Sequence, residues 1–126
     1  MVEGSAQFDL VAASLRADTD DLRIFVEGLT TKLEESFPGR CRVQRSGLLG
    51  RGSVRRIVVD LGGGRYELVH EGGVVTTRRA SIVRGIALKS DELSLDDWID
   101  ALAAELVSEA DRSERGRLAL ERLLHG

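Results

Sequence analysis

Apolar residues recur every three or four positions at both ends of this chain and every second position in its middle. Near the N-terminus, Phe8, Val11, Ala12 and Leu15 share one side of a predicted helix from Ser5 to Arg16. Leu22, Phe25, Val26, Leu29 and Leu33 then follow at i, i+3, i+4, i+7 and i+11, the stripe of an amphipathic helix. Between them, Asp18-Thr19-Asp20-Asp21 offers an N-cap and acids for a first turn, so a break is expected there. Pro38-Gly39 ends the second helix.

From Arg40 the period becomes two, and residues 41–49, 54–61, 65–71, 74–79 and 81–89 read as strands. The last two can also be read as one strand bent about Ala80. The first four are separated by Gly50-Arg51-Gly52, Gly62-Gly63-Gly64 and Gly72-Gly73. Links this short join antiparallel neighbours, because a parallel pair needs a crossover of about a dozen residues. Ile57, Val59 and Leu61 alternate with Arg56, Val58 and Asp60, and Tyr66, Leu68 and His70 alternate with Arg65, Glu67, Val69 and Glu71. One face is thus apolar and the other polar with arginine prominent, as in a sheet covered by helices on a single side. The final run holds Ile82, Val83, Ile86, Ala87 and Leu88, and its apolar character predicts a central or bent strand.

Helical periodicity returns after Ser90-Asp91-Glu92, which reads as a turn. Ser94 with Asp97 makes a capping-box-like start. Leu95, Trp98, Ile99, Leu102, Ala103, Leu106 and Val107 form the stripe, which continues less cleanly past Gly116. One helix over residues 95–124 would be about 45 Å long, more than a sheet this small can cover. Its last turns are therefore expected to project and meet another subunit, with Leu118, Leu120, Leu123 and Leu124 as the partner contacts and Trp98 as the core anchor. The pattern amounts to one α+β domain over residues 1–126. It comprises a helical arm (1–39), an antiparallel meander of four or five strands (40–89) and a second helical arm (90–126), with the helices packed on one face.

Charge follows the same division. Residues 40–89 hold eleven Arg or Lys against three acids, Asp60, Glu67 and Glu71. Residues 1–39 carry three basic and eight acidic groups and residues 90–126 four and ten, so the overall −3 conceals a basic middle between acidic arms. Strand acids and the arms can pair many of these arginines. What is left is a patch around Arg51, Arg55, Arg56, Arg78 and Arg79 that three central acids cannot neutralise. That patch makes nucleic-acid binding the alternative to protein binding. Against it stand the lack of any strand aromatic besides Tyr66 for base stacking, arginines on both strand parities, and the negative net charge.

No catalytic or cofactor motif identifies a function. The segments Gly47–Ser53 and Leu61–Arg65 match no phosphate-loop spacing and lead into strands rather than helices. Cys41 is the one cysteine, which excludes an intrachain disulfide and a thiolate zinc cluster, and its alternation with Val43 places it among core residues. With His125 in the C-terminal tail, an enzyme would have to centre on His70, the least favoured alternative. Asp91, Glu92, Asp96, Asp97 and Asp100 lack calcium-loop spacing and suit helix capping. Arg78-Arg79-Ala80-Ser81 fits a basic-directed kinase site, but Ser81 lies between two strands. No metal, cofactor or small-molecule ligand is expected. Without an eighteen-residue apolar window or a basic leader, no membrane span and a cytoplasmic location are expected. The reading is a non-enzymatic protein–protein interaction module, adaptor or chaperone-like, that self-associates as a homodimer through its C-terminal helix.

Overall fold

The computed structural model describes residues 2–16 and 21–125. Helices α1 (Val2–Arg16) and α2 (Leu22–Ser36) precede strands β1 (Cys41–Arg45), β2 (Val54–Leu61), β3 (Gly64–Glu71), β4 (Val74–Val83), β5 (Ile86–Ala87) and β6 (Asp91–Leu93), and helices α3 (Leu95–Arg112) and α4 (Glu114–His125) follow. The fold is α+β. All strand pairs are antiparallel in the order β1-β2-β3-β4, with β5 and β6 both on the far edge of β4. α1 and α2 are separate, as the acidic stretch predicts: Asp21 is extended and its carboxylate accepts from the amides of Arg23 and Ile24. Asp18, Thr19 and Asp20 lie outside the described residues.

Phe25, Val26, Leu29 and Leu33 of α2 and Trp98, Ile99, Leu102 and Leu106 of α3 share one core with Ile57, Val59, Leu61, Tyr66 and Leu68 of the sheet. α1 and α4 pack on α3, and α4 also packs on α2. Trp98 is fully buried, the anchor that the stripe predicts. Ser94 caps α3 by accepting from the Asp97 amide at 3.1 Å.

Three departures from the sequence pattern have identifiable causes. First, β1 ends at Arg45 instead of running to residue 49, and β2 carries a bulge, because Gln44 faces Arg56 while Arg45 faces Val54. The extra residue, Arg55, shifts the alternation, so Val54 is buried on the helix-covered face although strict parity puts it with Arg56 and Val58. Its amide donates to the Glu27 carboxylate of α2 at 2.8 Å.

Second, the last apolar run is neither central nor a single strand. β4 continues unbroken through Ala80 to Val83, turns at Arg84-Gly85 and returns as β5 on the sheet edge. Both turn residues have positive φ (53° and 79°), the two-residue hairpin geometry that suits Gly at both places and strains an arginine at the first. The expected turn at residues 90–92 instead runs into β6, where Thr77 Oγ1 donates to the Leu93 carbonyl at 2.8 Å.

Third, the long C-terminal helix breaks at Ser113, which is extended with φ −154° and ψ 152°. The Ser113 amide donates to Glu109 O and closes α3, while its Oγ accepts from the Gly116 amide at 2.9 Å and opens α4. Gly116 is buried in that first turn, and a Cβ there would collide with the Glu109 carbonyl. α4 therefore folds back along its own core instead of projecting. Leu120 and Leu123 are only 2% and 4% exposed, Leu124 is half-buried, and Leu118 alone of the four expected partner contacts is largely exposed. Replacing Gly116 by Ala should lower stability by about 1–3 kcal/mol through this overpacking, read as a shifted denaturant midpoint with unchanged slope. A midpoint equal to that of the parent would contradict the tight α3–α4 corner.

Candidate functional site

The five arginines of the expected basic patch do not share a surface. Strand register aligns Arg42, Val58, Glu67, Arg78 and Glu92 in one row across the uncovered face. Arg56 pairs with Glu67, and Arg78 pairs with Glu92 at 3.6 Å while donating to Ser90 Oγ at 3.0 Å. In the next row Arg65 grips Asp60 with a fork at 2.7 and 3.0 Å, which holds the Asp60 carboxyl below its usual range against the opposing effect of burial. Val58 is buried within this array although no described helix covers it, as expected where arginine stems lie along a sheet with their heads in water.

Arg79 points to the opposite face. Its guanidinium lies 5.5 Å from the centre of the Tyr66 ring and its Nε donates to the Tyr66 hydroxyl at 3.1 Å. Burial, opposed by that hydrogen bond, holds the Tyr66 phenol above its ordinary value. Arg55 pairs with Glu71 at 2.5 Å, leaving Arg51, which forms no ion pair among the described residues. Strand carboxylates, β6 and the Tyr66 hydroxyl thus supply partners for the rest of the patch. Exposed pairs of this kind contribute about 0–1 kcal/mol each, so an incoming acid can compete for them.

What the structure does bring together is one end of the sheet. Arg51, Arg55 and Arg56 lie on the β1–β2 loop and the bulge beside it. A shallow cleft of about 530 Å³ there is lined by Arg23, Ser46, Ser53, Arg55, His70 and Glu71. A second cleft of about 460 Å³ shares Arg55 and Glu71 and adds Arg45 and Arg56. His70 thus lines a cleft of mixed charge and hydroxyls. Cys41 lies in the row of Val59 and Tyr66, four residues along β3 from His70 and about 13 Å away by strand rise alone. Burial, reinforced by Glu34 and Asp60, pushes the Cys41 thiol up to about 11, so it stays protonated near neutral pH. His125 ends α4. Among the described residues no cluster of three or more His, Cys, Asp or Glu is arranged to hold a metal ion, and no helix is long and apolar enough to cross a membrane.

The pattern of alternation missed the most exposed large apolar side chains among the described residues. Leu48 and Leu49 are 88% and 80% exposed at the tip of the loop over residues 46–53. The loop is cross-braced, with the Ser46 amide donating to Ser53 O at 2.9 Å and the Gly52 amide to Ser46 O at 2.7 Å. Gly47, Leu49 and Gly50 all have positive φ, and for Leu49 the value is 63°. Two leucines enclosed by Gly47, Gly50 and Gly52 are the signal that a strand reading of residues 41–49 passes over. A second apolar group stands at the other end of the sheet, where Val83, Ile86 and Leu88 on the β4–β5 hairpin are 51%, 66% and 52% exposed.

Glu27 joins α2 to the base of the leucine loop. The Val54 amide, opposed by burial and helped by Arg45 at 3.0 Å, holds its carboxyl below the usual range. A carboxylate with a depressed folded-state pKa adds stability above its unfolded pKa and loses it as pH falls through the folded value. Glu27→Gln should cost about 1 kcal/mol at pH 7, the value for a charged hydrogen bond discounted for partial exposure. The difference from the parent should vanish in acid melts below the folded-state pKa, and a pH-independent difference would show that the charge does not matter. No protein-family model, no curated protein and no solved structure matches this chain, so its function is reasoned from this geometry.

Proposed function

We propose that this chain is a non-enzymatic protein–protein interaction module, adaptor or chaperone-like, that docks a protein partner through the β1–β2 loop. The observation that carries this reading is the Leu48-Leu49 tip. Holding a leucine at positive φ costs on the order of 1–3 kcal/mol, and leaving two leucines in water forgoes about 1.5–3 kcal/mol each. Nothing among the described residues covers the two leucines, whereas a partner's apolar pocket would recover the second cost. The loop's internal hydrogen bonds preorganise it, which lowers the ordering cost of binding. Arg51 on the loop, with Arg23 and Arg55 beside it, calls for an acidic rim around that pocket.

A second reading, nucleic-acid binding, is favoured by the convergence of Arg23, Arg51, Arg55, Arg56 and His70 on the same end. One experiment separates the two. In pull-downs from the native host, the double variant Leu48→Ser/Leu49→Ser should lose a specific protein partner by about tenfold or more, while Leu118→Ser keeps it. Retention of that partner by the loop variant would refute the loop as docking site. Binding to DNA or RNA at low salt that is abolished by Arg55→Glu/Arg56→Glu, and indifferent to the leucine changes, would establish the second reading instead.

Self-association, expected from the sequence to use α4, has a better surface in the β4–β5 hairpin because Leu120 and Leu123 are consumed in the core. Ile86 and Leu88, 66% and 52% exposed, give that hairpin an apolar surface that a second copy can cover. Sedimentation should show a dimer that Ile86→Lys converts to monomer. A parent that stays monomeric at every concentration would exclude this contact.

A further inference from the structure

The corner between α3 and α4 closes a cleft of about 560 Å³ against the end of α2 and the start of β1. That volume falls within the range of about 300–1,000 Å³ typical of small-molecule sites. Phe37, Pro38 and Leu118 give it an apolar wall, and Arg40, Arg115 and Ser36 supply polar groups. Ser36 is 6% exposed and its hydroxyl has no hydrogen-bond partner. A buried hydroxyl left unpaired is unusual enough to point to a missing acceptor or donor.

The charges lining the cleft are unequally used. Glu109 is already paired with Arg40 and Arg112, and Glu114 with Arg117. Arg122 donates to the Glu35 carbonyl at 2.9 Å. Arg115 forms no ion pair among the described residues. In the first turn of α4, Ser113 Oγ takes only the Gly116 amide, which leaves those of Glu114 and Arg115 for another acceptor. Arg115 and Arg122 are thus the lining guanidiniums that no carboxylate among the described residues neutralises, which favours an anion, and the two acceptor oxygens of a carboxylate suit a guanidinium fork. The apolar wall calls for a hydrocarbon body attached to it.

We infer that this cleft binds a small organic monocarboxylate. The carboxylate sits on Arg115 and the first-turn amides of α4, Ser36 supplies a hydrogen bond, and a short aliphatic chain lies along Phe37, Pro38 and Leu118. The site is separate from the leucine loop, and neither depends on the other.

Titration of the full chain with hexanoate, followed by amide NMR, tests it, with acetate and hexylamine as comparison probes. Hexanoate should produce saturable shifts at Ser36, Phe37 and Glu114 to Arg117 with a millimolar Kd, as befits a fragment of that size. Acetate should bind more weakly, for want of the apolar body, and hexylamine should not saturate. Arg115→Glu, at an exposed position that leaves the fold intact, should weaken hexanoate at least about tenfold. Ser36→Ala should weaken it severalfold while raising the Tm of the free protein, because the unpaired hydroxyl is gone. Absence of saturable hexanoate shifts at these amides, equal response to hexylamine, or unchanged affinity in Arg115→Glu would each overturn the inference.

Discussion

The seating of α3 on the sheet through Trp98 and Tyr66 is the interaction on which the rest of this structure depends. The Trp98 indole N–H donates to the Arg78 carbonyl at 3.1 Å, so the largest buried side chain also satisfies a backbone acceptor of β4. Tyr66 meets it edge-on with ring centres 6.2 Å apart. The Tyr66 hydroxyl accepts from Arg79 and lies 3.2 Å from the Ala101 carbonyl, tying β3 and β4 to the second turn of α3. Further along, Glu109 holds Arg112 at 3.0 Å and Arg40 at 3.6 Å, drawing the start of β1 to the same helix. Gly62 has a φ of 50° and a Cβ on Gly64 would strike the Tyr66 ring, so the β2–β3 turn that reaches α3 is built on glycine. With α3 fixed this way, Ser113 determines where the chain leaves it and α4 has one place to go.

Charge segregation along the chain becomes charge pairing in space. Antiparallel register places Glu67 beside Arg78 and Asp60 beside Arg65, and β6 brings Glu92 to Arg78 from the acidic C-terminal segment. The open face of the sheet is accordingly a lattice of opposite charges in high dielectric, weak in stability and effective in specifying register. Neutralised across its middle, the sheet keeps its distinctive chemistry at its two ends. One end carries an apolar loop tip among arginines, the other an apolar hairpin. Both lie on connections between strands, where backbone strain and exposed side chains are tolerated without cost to the core.

Much of this was readable because it rests on local periodicity. Period 3.6 around Phe25 and Leu29 and around Trp98 and Leu102, period two around Ile57 and Tyr66, and glycine at the hairpins give helices at both ends, antiparallel pairing and the covered face. The alternation of Cys41 with Val43 likewise put both on the core side, and both pack half-buried against the core. The candidate surfaces were far less legible. Leu48 and Leu49 satisfy a strand pattern as well as a loop pattern, and only the hydrogen bonds between Ser46 and Ser53 choose between them. Leu120 and Leu123 look alike as core or interface residues, since an apolar helical stripe does not say what covers it.

By itself, then, the sequence determined the elements, the covered face of the sheet and the anchor of its core, because spacing along the chain sets which side chains share a side of a helix or strand. Tertiary structure alone decided the bulge at Arg55, the break at Ser113 and the partners of the arginines. Val54 turns inward where Glu27, 27 positions away, accepts a hydrogen bond from its amide. α4 folds back because Gly116 lets its backbone approach the Glu109 carbonyl. Each outcome depends on how closely two distant backbones can approach and which polar group each satisfies there, information that no local periodicity carries.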